Sequence, residues 1–232
     1  AAAAADAAKA AGVNVISYDR LIRDTDAVDY YVTFDSIAVG EQQAQYLVDN
    51  AEGTDNPLYL YAGAATDNNA FIFFEGAWNV LQPKIADGTF RIVNSSEAVA
   101  LQDKAELTRD EMAALIGPGA TDWDFNTAKN LAEANLTVAP AEDKGDVFIL
   151  APNDAEIPSV QYIIDGKQSM TVFKDVRTLV ADAIAAAVAL LSGEEPNATG
   201  AYDNGVVEVP AIQSPVVTVD ANNVVEALID SG

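Results

Sequence analysis

"VISYDRLIRDTDAVDYYVTFDS", Val15 to Ser36, reads as two strands separated by an acidic loop. The first apolar run stops on Asp19 and Arg20, and the second, "YYVTF", stops on Asp35. Burying an unpaired charge is among the costliest steps in folding. Two strands that both finish on charge therefore open onto a polar cleft instead of a core.

The same alternation continues outward. "AAAAADAAKAAG" ahead of the first strand favours helix, with Gly12 placed as its C-cap. After Asp35, "IAVGEQQAQYLVDNAEG" has helical spacing, with Ile37, Val39, Ala44, Leu47 and Val48 as core positions. "NPLYLYAGAATD" reads as a strand with a polar end, "NNAFIFFEGAWNVLQPKIADG" as a helix closed by Asp87-Gly88, and "TFRIVNSS" as a strand. A helical tract from Ala98 to Ile116 and the helix "DFNTAKNLAEANLT" precede the strand "DVFILAPND". Next come a short helix, "IPSVQYIIDG", and a strand, "QSMTVFK". "VRTLVADAIAAAVALLSG" then sets Leu179, Val180, Ala183, Ile184, Ala187, Leu190 and Leu191 on one face. Two β runs in "NGVVEVPAIQSPVVTVD" and a helix in "NNVVEALIDSG" follow. Strands alternating with helices of this length predict βαβ units and an α/β fold with a mostly parallel sheet. Such sheets bind ligands beyond the carboxyl ends of their strands. Asp19-Arg20, Asp35, Asp67-Asn68-Asn69, Asn153-Asp154 and Lys174 all fall at or just past such ends.

Composition narrows the chemistry. The 232 residues carry 12 Lys and Arg against 36 Asp and Glu, a formal charge of −24. That excess disfavours nucleic acid and anionic membrane surfaces. There is no Cys and no His, which excludes disulfides, thiolate nucleophiles, Cys/His zinc sites and histidine acid–base catalysis. No apolar run is long enough to span a bilayer. The rim offers carboxylates, amides, a guanidinium and an ammonium, a set suited to vicinal hydroxyls that both donate and accept. Trp123 in "TDWDF" lies in a loop before a helix, where anchoring that loop in the core is the ordinary use of such a ring and stacking on the C–H face of a sugar the functional one. A paired-carboxylate hydrolase is the competing use of Asp19, Asp35, Asp67 and Asp154, but nothing marks a particular pair. Asp24, Asp26 and Asp29 lack the spacing and glycine of a calcium loop, so a solvated loop is the expectation.

"AAKAAGVNVISYDR", "YYVTFDSIAVGEQQAQYL", "TDNNAFIFFEGAWNVL", "APND", "IIDGKQSMTVFKDVRTLVADAI" and "VDANNVVEALIDSG" together resemble the type I periplasmic binding proteins. The nearest likeness is to the ribose-binding-like family's xylose and multiple-sugar subgroup. The resemblance implies two Rossmann-like lobes with parallel sheets, joined by a three-segment hinge. The lobes are expected to comprise residues 1–34 with 174–207, and 35–173 with 208–232. It implies an extracytoplasmic protein that captures a pentose or hexose between its lobes and hands it to an ABC permease, with no catalysis, no cofactor and no metal. Carried over by position, Asp19 and Arg20 match the family's hydroxyl-binding pair, Asn68 and Asn69 its amide contact, and Trp123 its stacking ring. Asn153 matches the Asn of its "ND", and Lys174 the Lys after "MTV". The family pattern also has a βαβαβ stretch ahead of "AAKAAGVNV" and a helix–strand unit between "ND" and "AEIPSV". Neither is in this sequence, so the fold is expected to be incomplete at both places, and Asp154 matches either the "ND" or a later "QDAE". The subgroup implies a signal peptide and a location in the periplasm or, as a lipoprotein, on the cell surface. The sugar-effector domain of a LacI-type regulator shares the fold and stands as the alternative.

Overall fold

A computed structural model describes residues 1–139, 150–151 and 155–230. These divide into two compact units: Ala1–Ser36 with Lys174–Val216, and Ile37–Phe173 with Val217–Gly232. The chain passes from one to the other after Ser36, Phe173 and Val216.

Unit 1 is built on a four-stranded sheet of order β1-β2-β8-β7, comprising Ile16–Tyr18, Tyr30–Phe34, Glu208–Ser214 and Gly200–Asp203. β2 runs parallel to both neighbours, with Ile16 opposite Tyr30 and Phe34 opposite Ser214, while β7 closes the far edge antiparallel. Side chains alternate across β2 as the pleat requires. Tyr31 packs with Leu21, Val28 and Val209 on one side, and Val32 and Phe34 pack against Leu179 and Ala186 of helix α8, Val176–Leu191, on the other. The acidic loop is used structurally: the Asp29 carboxylate accepts from the Val15 N–H at 2.7 Å, and Asp26 pairs with Lys9 of the first helix, α1, Ala2–Ala10.

Two expectations are corrected here. Residues 208–216 belong to unit 1, because β8 is the strand between β2 and β7. On α8, Val180, Ile184 and Leu191 are exposed, and the face against the sheet runs through Leu179, Ala183 and Ala186. Beyond Asp182 the helix is apolar on every side, which leaves its pattern little preferred direction.

Unit 2 contains the parallel pair β3, Asn56–Leu58, and β4, Phe90–Ile92, together with a three-stranded sheet of order β5-β6-β9. Those strands are Leu150–Ala151, Met170–Phe173 and Val217–Asp220, with β9 antiparallel to β6. Its largest core is organised by helix α3, Asn68–Ala86. Phe71, Phe74, Trp78, Leu81 and Ile85 recur at alternating steps of three and four, one face of a helix, and all are buried. Helix α2, Ser36–Asn50, crosses α3 backbone to backbone: a Cβ on Gly40 would strike the Phe73 carbonyl, and one on Gly76 the Ile37 carbonyl. The tract expected to be one helix from Ala98 to Ile116 is two, α4 at Ser96–Leu101 and α5 at Arg109–Ile116. Thr108 and Glu111 form a capping box that starts α5. The intervening loop is held to α3 by the Trp78 indole donating to Lys104 O and the Gln82 amide donating to Gln102 O, each at 2.9 Å. A 3-10 turn at Gly117–Gly119, the fourteen-residue helix α6, Phe125–Val138, the short α7, Ile157–Ile164, and a helical turn at Val225–Asp230 complete the described elements.

Candidate functional site

The expected site residues fall into two groups, one in each unit. In unit 1, Asp19 and Arg20 directly follow β1, and Asp35 follows its parallel neighbour β2, so the three sit at the same edge of one sheet. Asp19 adopts a left-handed backbone, φ 62°, which Asp tolerates. Its N–H donates to Val32 O at 2.8 Å, and its carbonyl accepts from the Tyr31 hydroxyl at 2.8 Å. The buried Ser17 hydroxyl donates to Arg20 O and accepts from the Ile22 N–H, which closes the turn. The turn projects an exposed Arg20 guanidinium 3.2 Å from the Asp19 carboxylate. Lys174 arrives at the same edge: its ammonium lies 5.7 Å from the centre of the Phe34 ring, within cation–π range. Asp35 continues the ladder through its backbone, its N–H donating to Ser214 O.

In unit 2, Asn68 and Asn69 open α3 and are 9% and 6% exposed. Asp67 caps the helix, one carboxylate oxygen accepting from the Asn69 N–H at 3.0 Å. The other accepts from the Trp123 indole N–H at 3.1 Å. Trp123 is half-buried, meets Phe73 edge-on at 5.9 Å, and is preceded by Asp122, both with left-handed backbones. The loop carrying it is tied down at both ends. Thr121 donates its N–H and hydroxyl to Ala62 O, and Asp124 caps α6. The backbone and side-chain hydrogen bonds from Thr127 hold the Asp124 carboxyl below the usual carboxylate range.

Two residues of this group, Arg109 and Gly63, are outside the expected set, and Asp67, expected at the rim, has a linking part there. Arg109 donates to Asn68 Oδ1 at 2.8 Å, with its guanidinium carbon 3.9 Å over the Phe71 ring. Occupying that oxygen leaves the Asn68 NH2 as its second polar face. Gly63 lies under the Trp123 ring, and Asp67 links ring to helix. The capping box signals where Arg109 begins its helix, but no local pattern gives its partner. Asn153 and Asp154 lie outside the described residues. Among the described residues no group of three or more acidic side chains is arranged to hold a metal ion, and no helix is long and apolar enough to cross a membrane.

A family model described as a periplasmic binding protein domain matches residues 1–195. The chain belongs to that family. The multiple sugar-binding periplasmic protein SbpA of Azospirillum brasilense is 35% identical to this periplasmic binding protein over 97% of the chain, which spans 68% of the relative. Among solved structures, a carbohydrate transporter solute-binding protein from Chloroflexus aurantiacus, in complex with D-glucose, is 71% identical. It superposes with a TM-score of 0.94 over 100% of this chain and 75% of its own. An ABC transporter solute-binding protein from Clostridium phytofermentans with bound β-D-glucose is 31% identical with a TM-score of 0.79, over 100% of this chain and 76% of its own. The fold is that of the type I binding proteins, α/β with mostly parallel sheets and antiparallel edges.

Proposed function

We propose that this protein is an extracytoplasmic solute-binding protein that captures a monosaccharide, a pentose or hexose, and delivers it to an ABC transporter permease. The observation that carries the reading is similarity, over the whole of this chain and 75% of the other, to a carbohydrate transporter solute-binding protein solved with D-glucose. The side chains suit the task. Asp19 and Arg20 offer an acceptor and a planar donor to neighbouring hydroxyls, Lys174 adds an ammonium, and Asn68 and Asn69 add amides. Trp123 supplies the aromatic surface for the sugar's C–H face. Asn153 and Asp154 join this set by sequence position. Nothing in the reading requires a proton transfer or a bond to break, so the protein returns its ligand unchanged and needs no cofactor. Its relatives are periplasmic, and this chain works outside the cytoplasmic membrane, free or held by a lipid anchor. Relatives named for sugar binding in the periplasm favour this reading over a LacI-type effector domain.

A thermal-shift panel of monosaccharides tests it. A ligand that binds only the folded state raises the melting temperature as its concentration exceeds Kd. At least one aldose, D-glucose or D-xylose among them, is expected to raise it in a saturable way, and incubation with labelled disaccharides is expected to release no product. A flat response across the panel from folded protein, or steady product release, would overturn the reading.

A further inference from the structure

We propose that Asp67 and Gly63 are positioning residues that fix the plane of the Trp123 ring, Asp67 by holding its indole N–H and Gly63 by providing a backbone floor. The inference rests on the reading of Trp123 as the surface on which a sugar stacks.

A Cβ built on Gly63 would run into three successive carbons of the six-membered ring, Cε2, Cζ2 and Cη2, at nearly equal distances. A point beside the ring edge would be much nearer to one carbon than to the other two. Near-equality places the Cβ position over the ring face, so the ring lies flat on the backbone at Gly63. Any side chain there would lift or tilt it. The approach is enforced by the loop, since Ala62 N–H donates to Gly119 O and Thr121 returns two bonds to Ala62 O.

Lying flat on a glycine leaves the ring free to slide and rotate in its plane. The hydrogen bond from Nε1 to Asp67 removes that freedom. The two oxygens of Asp67 have separate duties, one on the indole and one on the Asn69 N–H. The carboxylate thereby fastens the ring to the first turn of α3, where Asn68 and Asn69 lie. Ring and amides become one rigid group whose geometry is set before a ligand arrives, which lowers the ordering cost of binding. Asp122 and Trp123, at φ 51° and 58°, hold strained backbone that such anchoring sustains.

The chain has two tryptophans, so a Trp78→Phe background leaves Trp123 as the sole indole. Asp67→Asn separates the two duties. Asn still caps a helix through Oδ1, but its NH2 then faces the indole N–H, donor against donor. Acrylamide quenching of Trp123 without ligand, then calorimetric titration with D-glucose and D-xylose, gives the readout. Gly63→Ala and Asp67→Asn are each expected to raise the quenching constant at least twofold and to weaken sugar binding at least tenfold. For Asp67→Asn the melting temperature stays within a few degrees of the parent. Unchanged quenching in Asp67→Asn overturns the proposal, as does altered quenching with unchanged affinity, and Asp67→Asn decides alone if Gly63→Ala does not fold. A parent that binds neither these two sugars nor any other of the monosaccharide panel, while quenching responds as expected, would refute Trp123 as a sugar platform and leave the ring's positioning upheld.

Discussion

The two units hold their candidate site residues in contrasting ways. Unit 1 presents charge on the end of a sheet: the Arg20 side chain is 62% exposed and steadied by a turn, with Asp19 beside it. Unit 2 presents amides and an indole that are already built in, with Asn68 and Asn69 almost fully buried and Trp123 held at its edge and under its face. The difference is one of stiffness: the charges of unit 1 rest on one short turn, whereas the amides and indole of unit 2 are fixed by a helix cap and a backbone floor.

If unit 2 is the stiffer, its core is the place where damage is greatest. Trp78→Ala removes a buried ring that stacks on Phe74 and ties down the loop before α5. It should lower unfolding free energy by about 4 kcal/mol, against about 3 kcal/mol for Leu179→Ala beneath the unit 1 sheet. Urea melts followed by circular dichroism compare the two. Gly76→Ala, at the crossing of α2 and α3, should cost about 2 kcal/mol in the same melts, because the helices must part. A neutral Gly76→Ala would mean that the crossing yields freely, and the contrast would weaken.

Next in size come the arginines. Arg109→Met removes a charged hydrogen bond to a nearly buried amide, so stability should fall by about 1.5 kcal/mol. Arg20→Ala should leave stability within about 0.5 kcal/mol, since exposed ion pairs contribute little. Equal losses from both would erase the distinction between built-in and projected groups. The smallest effect concerns acid. The Lys104 ammonium and the Thr108 N–H hold the Glu111 carboxyl at about 2, below its ordinary 4.5. A lowered folded-state value stabilises the fold above pH 4.5, and that contribution fades as pH falls toward 2. Glu111→Gln should therefore flatten the acid limb of the stability profile over that window, by an amount small for so exposed a group.

The contrast also explains what the sequence alone could disclose. Asp19, Arg20 and Lys174 announce themselves because charge directly follows an apolar run, and Asp67 because it stands where a helix must begin. These are local signals. Arg109 reaches a partner 41 residues away, and Trp123 one 56 residues away, so no periodicity points from one to the other. Gly63 matters only through the ring laid on it, and glycine leaves no pattern of its own. The split of the Ala98–Ile116 tract was marked by Thr108 and Glu111, a capping box inside a run otherwise helical in composition. β7 was not anticipated, since "GAYD" is short and holds two residues that strands disfavour. The buried face of α8 depended on the sheet beneath it, which a helix apolar on every side beyond Asp182 cannot indicate.

The most direct test of the central claim is calorimetric titration of the intact protein, Arg20→Ala and Trp123→Ala with a panel of aldoses. The account predicts saturable one-to-one binding of at least one sugar, weakened by about 2 kcal/mol, roughly thirtyfold, in each variant. No binding heat from any sugar, or equal affinity in all three proteins, would contradict it.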